Sequence, residues 1–238
     1  MKKILMSLVI LTSVMTAEAV TTKKLYGKAY GLKKTKVLYH EVHDVTIGDD
    51  GFNQKVETKY LDISLKEFAA LKSTFKDNLF VPDSELKDSR FKRTEKLNLD
   101  GNKAKIQVMT EGQKDQTKTI SIDSTSVAGQ GFNNFLLKYF DELATGKSKK
   151  VAIVVIPLLD FFKFTASRVG PASEKEETVE LKIQIASVFL KAFADPIFVK
   201  YDKKNRNLLE FRGLSNLSDE KDQKQQVLIQ YSDSPPTL

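Results

Sequence analysis

The stretch 131–166 constrains the fold more than any other part of the chain. It opens GFNNFLLKYFDELATGK, in which Phe132, Phe135, Leu136, Tyr139, Phe140 and Leu143 recur at the spacing of one helix face. Gly146 stands where a left-handed residue would end that helix. Directly after it comes VAIVVIPLLDFFKFTA, rich in β-branched and aromatic residues and therefore expected as strand. A strand that is apolar on both faces, beside an aromatic helix, must be covered on two sides. Such a pair writes either a core or the wall of an apolar cavity.

Short strands joined by tight turns fill the rest. Segments 24–32 and 35–46 carry Tyr26, Tyr30, Val37, Tyr39 and Val42, and Gly48-Asp49-Asp50-Gly51 follows as a hairpin turn. Segment 55–63 alternates about Val56, Thr58 and Tyr60. Leu65, Phe68, Ala69, Leu71 and Lys72 predict a short helix that ends before Val81-Pro82. Segments 91–99, 103–110 and 117–123 read as strands, the first closed by Asp100-Gly101, and 124–131 reads as a small-residue linker. Segment 178–185 sets Val179, Leu181, Ile183 and Ile185 against Glu180, Lys182 and Gln184. Val188, Phe189, Ala192 and Phe193 predict a helical turn before Asp195-Pro196, and strands 197–201, 208–214 and 226–231 precede a frayed polar tail at 232–238.

The pattern sums to roughly a dozen strands with no βαβ alternation, so the sheet is expected to be antiparallel. A sheet this wide must curl, close or be covered. The expected fold is mainly β: a curved antiparallel sheet, an open or partly closed barrel, with two or three helices covering or plugging it. One domain over 20–238 accounts for the chain without a linker.

Residues 1–19 read as a leader: basic Lys2 and Lys3, an apolar segment at 4–15, and Ala17-Glu18-Ala19 as the cleavage site. The apolar segment is shorter than the roughly 20 residues of a membrane span. These features predict an exported, periplasmic protein, cleaved after Ala19 and not integral to the membrane. The 238 residues include no cysteine, which excludes disulfides, thiol chemistry and a lipid-anchoring cysteine. The formal charge is +7; losing Lys2, Lys3 and Glu18 with the leader removes two positive charges and one negative, leaving +6. Arginine occurs only at Arg90, Arg93, Arg168, Arg206 and Arg212. A lysine-dominated surface lacks the bidentate donors that nucleic-acid readers favour, so no nucleic-acid partner is expected. Such a surface is either simply solvated or drawn to anionic head groups and acidic envelope polymers.

Few motifs in the chain carry chemistry. His40 and His43, in YHEVHD, lie three apart and so on opposite faces of a strand, which bars a shared metal and leaves solvated or structural histidines. There is no H-E-x-x-H and no G-x-S-x-G. The S-x-x-K spacing recurs at Ser73, Ser84, Ser89 and Ser218 as chance matches in a lysine-rich chain. Asp141, Glu142, Asp160 and Asp195 offer carboxylate pairs that nothing singles out. Gly129-Gln130-Gly131 reads either as a flexible entry to the helix or as a seat for an anion or phospholipid head group at its N-terminus. No catalytic set, metal site or cofactor is expected, and the chain is expected not to be an enzyme.

GFNNFLLKYFDELATGK, IPLLDFFKF and ADPIFVKYDKKNRNLLEFRGLSNL together resemble an uncharacterised family of exported bacterial, periplasmic proteins, over 128–217. The element order is more distantly similar to LolA- and LolB-type half-barrels, which hold acyl chains beneath helical lids. No binding residue is carried over from that likeness; the two-sided apolar run beside an aromatic helix, in a chain with no catalytic set, leads to a lipid, lipoprotein or other apolar envelope component as the expected ligand. The aromatic set Phe132, Phe135, Tyr139, Phe140, Phe161, Phe162, Phe164, Phe189 and Phe193 is then the candidate lining of an apolar cavity. The alternative is a structural or adaptor protein of the cell envelope, its sheet filled by its own side chains and its protein partner docked on an edge strand.

Overall fold

The computed structural model describes residues 21–187 and 195–236. The leader, and the helical turn expected at 188–193 with Phe189 and Phe193, lie outside the described residues. Period-two alternation builds most of what is described. The first half forms β1 (Thr21–Gly31), β2 (Val37–Ile47), β3 (Asn53–Leu61), β4 (Glu67–Thr74), β5 (Asp83–Asp88), β6 (Arg93–Asp100), β7 (Lys103–Thr110), β8 (Gln116–Ser121) and β9 (Ser126–Ala128). Helices α1 (Gly131–Lys138) and α2 (Phe140–Ala144) follow. The second half forms β10 (Lys149–Val155), β11 (Asp160–Arg168), β12 (Thr178–Ile185), β13 (Ile197–Asp202), β14 (Leu208–Ser218) and β15 (Lys224–Ser232).

All fifteen strands belong to one sheet, in the order β8-β7-β6-β5-β4-β3-β2-β1-β15-β14-β13-β12-β11-β10-β9. The first and last strands pair with each other, and hairpins run outward from that pair in both directions. Among the described residues the sheet is not closed: β8 and β9 are its two edges, although only a short connection separates them in the chain. Side chains bring those edges together. Ala128, Val154, Ile156, Leu159 and Phe161 from one end pack with Leu97, Ala104, Ile106 and Ile120 from the other. Lys118 of β8 and Asp160 of β11 add an ion pair at 2.8 Å across the gap.

The two-sided apolar run is explained by this curl. Val127, Val151, Ile153 and Phe164 face α1, α2 and the inner side of β12 and β13. Ala128, Val154 and Phe161 face β6–β8. The middle of β10 therefore lies between two layers, which is why Val151, Ala152, Ile153 and Val154 are apolar on both faces, whereas β11 carries the exposed Lys163 on the face of Phe161.

Several expectations need correction. Residues 151–166 are a hairpin rather than one strand: a single 3-10 turn, Ile156–Leu158, interrupts them, because Pro157 has no N–H for the ladder and Leu159 turns left-handed at φ 51°. Residues 65–72 are mostly strand, β4, not helix. Ala69, Leu71 and Ser73 are its buried positions, a period of two that Leu65 and Phe68 obscured. The linker at 124–131 contains β9, and β9 runs parallel to β10, so the sheet is not wholly antiparallel. That pair is joined through α1 and α2, a βαβ crossover written in so few strand residues that the sequence pattern hides it. Polar inward residues, Ser84 and Asp88, likewise hid β5.

The helical segment fits its expectation more closely. It breaks at Tyr139 into two pieces, and Phe135, Leu136, Phe140 and Leu143 are buried. It ends in a Schellman motif: Gly146 at φ 98° donates to the Leu143 carbonyl at 3.0 Å, and the Lys147 N–H reaches the Glu142 carbonyl at 2.9 Å.

Candidate functional site

The aromatic set is the starting point. Phe135 and Tyr139 pack edge-to-face with centroids 5.0 Å apart, Phe80 joins Phe135 at 5.5 Å, and Phe140 meets Tyr201 at 5.8 Å. Phe132, Tyr139 and Phe164 are partly buried against the same cluster. Phe161 faces the other layer, and Phe162 lies on the face of Phe164, opposite Ile153. The adjacent phenylalanines thus point to opposite sides, as their spacing requires. Six of the seven described members, all but Phe162, pack into a core cluster. Two recesses among the described residues hold about 90 and about 210 Å3. The first lies by Thr74, Asn78 and Asp83, the second by Thr165, Ser167 and Gln184; none of the seven aromatics lines either.

Polar contacts seat the helices inside the curled sheet. Asn134 is fully buried; its amide donates to the Asn53 and Leu79 carbonyls at 3.0 Å each, and its oxygen accepts from the Asn53 N–H at 3.0 Å. Tyr201 donates to Asn133 at 2.9 Å, Arg206 reaches Asp141, and Lys149 reaches Glu142 at 2.7 Å. Arg168 donates to the Ala144 carbonyl at the end of α2 and grips Glu176 with both nitrogens. That guanidinium holds the Glu176 carboxyl down at about 2.

A second group of residues was missed at the sequence level. Glu41 and His43 stand two apart on β2 and so share the inner face, where His43 Nε2 lies 2.9 Å from Glu41 Oε2. Thr58 lies 2.7 Å from His43 Nδ1, and the Gln130 amide donates to the Thr58 hydroxyl at 2.6 Å. Tyr231 donates to Glu41 at 3.3 Å. Gly27, opposite Glu41 in the ladder, leaves the space: a Cβ there would come within 3.0 Å of the carboxylate. The E-x-H spacing in YHEVHD is the signal that would have found this pair. His40, three positions from His43, lies on the other face of β2, where burial lowers its pKa.

A carboxylate, an imidazole and a hydroxyl in a row have the connectivity of a hydrolytic triad. Here Thr58 is 1% exposed and its oxygen is already occupied by Gln130. The row acts instead as a tether from the β2–β3 wall to the start of α1. The Gln130 side chain, spent on Thr58, provides no cap for the helix. Burial and the Glu41 carboxylate push the Tyr39, Tyr60 and Tyr231 phenols up, so all three remain neutral.

The β14–β15 hairpin crosses one end of this interior. An irregularity between Leu214 and Ser218 accompanies the contacts of this segment with β2 and β3. The Ser215 and Tyr39 hydroxyls are 3.0 Å apart, Asn216 donates to the Tyr60 hydroxyl at 2.7 Å, and Leu217 is buried. Arg90 then binds the Ser218 carbonyl at 3.1 Å, and Arg93 pairs with Asp222 in the turn. Beside them Glu95 is 6% exposed. Burial pushes its carboxyl up to about 7, helped by Asp88 and Asp222 and opposed by Arg93.

No protein-family model and no curated protein matches the chain. Among solved structures it is similar to a beta-barrel-like protein of a domain of unknown function, DUF1849, from Brucella abortus. That similarity has a TM-score of 0.41 at 8% identity, over 91% of this chain and 99% of the other.

Proposed function

We propose that the chain is a non-catalytic structural or adaptor protein of the cell envelope whose outer surface, rather than its interior, meets its partner. The observation that carries this reading is the filling of the curled sheet by α1 and α2, with Asn134 and the Glu41–His43–Thr58–Gln130 row tying them to the wall. The leader-like sequence at 1–19 supports the location. Proximity cross-linking in the envelope fraction tests it: recovery of one recurrent protein or membrane neighbour supports an adaptor, and labelling no different from that of an unrelated exported protein refutes it.

A lipid- or lipoprotein-holding role is the second reading. It is favoured by the outer ties of the helices, Arg206 to Asp141 and Lys149 to Glu142, which are exposed enough to exchange with water and could release the helices from the aromatic wall. Native mass spectrometry after incubation with a fatty acid distinguishes the two. A stoichiometric adduct favours the carrier, and an unmodified mass favours the adaptor.

A further inference from the structure

We propose that one end of the rolled sheet docks on a lipid bilayer bearing anionic head groups, with Leu32 and Ile63 entering the interface and Lys33, Lys34 and Lys36 facing the head groups. This deepens the adaptor reading, and rests on it, by naming the surface that is met. Strands β1, β3 and β10 run in one direction through their antiparallel neighbours, so the turns that follow them leave the same end of the sheet. Those turns carry Ile63, Leu32 and Leu158, exposed by 64%, 52% and 49%. Single exposed apolar residues are ordinary; Leu32 and Ile63 differ in standing on adjacent turns, whereas the turn that holds Leu158 packs against β6 and β7.

Local structure presents them. Asp62 accepts from the Ser64 and Lys66 N–H groups at 2.8 and 3.0 Å, and Leu65 at φ 63° completes a tight turn with Ile63 at its apex. The neighbouring turn 32–36 is exposed throughout and holds Lys34 at φ 53°, its N–H on the Gly31 carbonyl at 2.7 Å. Pairing of His40 with Leu61 sets these two turns side by side. Between Tyr30 and His40 the sequence carries three lysines and no acid. Lys28 and Lys34 flank the Tyr30 ring at 6.0 and 5.7 Å. Of the acids at this end, Glu111 pairs with Lys92 and Asp222 with Arg93, Asp62 and Asp219 accept from the backbone of their own turns, and Lys33, Lys34 and Lys36 make no ion pair among the described residues. An apolar apex, an amphipathic aromatic and uncompensated lysines are the chemistry of shallow insertion into an anionic interface.

Vesicle co-sedimentation of the full chain tests this, with phosphatidylglycerol-containing and pure phosphatidylcholine vesicles. The expected result is a partition into anionic vesicles that falls about tenfold or more in the variant Leu32→Ser with Ile63→Ser, and again in Lys33→Gln with Lys34→Gln and Lys36→Gln. Val169→Ser, in a turn at the opposite end, leaves it unchanged. Because the apolar N-terminal stretch is common to all forms, equal partition of wild type and both variants overturns the proposal, as does equal binding to phosphatidylcholine. In either case a cross-linked protein partner would leave the adaptor reading standing.

Discussion

Asn134 and Gly131 stand one turn apart on the helix that fills the sheet, and each is fixed by a contact no substitute can make. Removing the Asn134 amide strands the Asn53 N–H and the part-buried carbonyls of Asn53 and Leu79. Asn134→Ala is expected to cost about 2–4 kcal/mol in urea unfolding. At Gly131 a Cβ would lie 1.9 Å from the Phe80 carbonyl oxygen, so Gly131→Ala must displace backbone and is expected to cost at least about 3 kcal/mol. Glu95 makes the opposite kind of prediction. Its folded carboxyl titrates near 7, above the 4.5 of an ordinary glutamate, so the folded state holds the proton more tightly. Stability from this group is complete below pH 4.5 and is lost as pH rises through about 7, by roughly 3 kcal/mol. Chemical denaturation across that window should show the loss in wild type and its absence in Glu95→Gln. A wild-type and variant difference that does not change with pH would refute the assignment.

At the scale of elements, what could be read depended on whether one face was uniformly apolar. Strand β12 alternates without exception and matches its expected limits. The α1–α2 segment was legible from its aromatic stripe and its glycine stop. Gly146→Ala should shorten that stop at a cost of about 1 kcal/mol, read as a fall in thermal midpoint. Strand β5 was not legible, because its inward residues include Ser84 and Asp88, whose surroundings come from distant strands. The Glu41–His43 pair was half legible. The spacing puts both on one face, and Gly27 across the ladder and Gln130 at the start of α1 complete the hydrogen-bonded row there. The aromatic set was legible as apolar, but whether it lines space or fills it depends on how far the sheet curls, which no local pattern records.

For the whole molecule, the curl follows from covering a wide antiparallel sheet that carries an apolar inner face. Its ends meet through side chains rather than a ladder, and the helices occupy what would otherwise be a lumen. The account's central claim is that α1 and α2 form part of a packed interior. Native-state hydrogen exchange tests it most directly, read at the amides of Phe135, Leu136 and Leu143 and compared with those of Val179 and Leu181 in β12. The account predicts that both sets exchange only through global unfolding, with the same free energy, and that added fatty acid changes neither. Helix amides exchanging much faster than those of β12, and slowing when fatty acid is added, would contradict it.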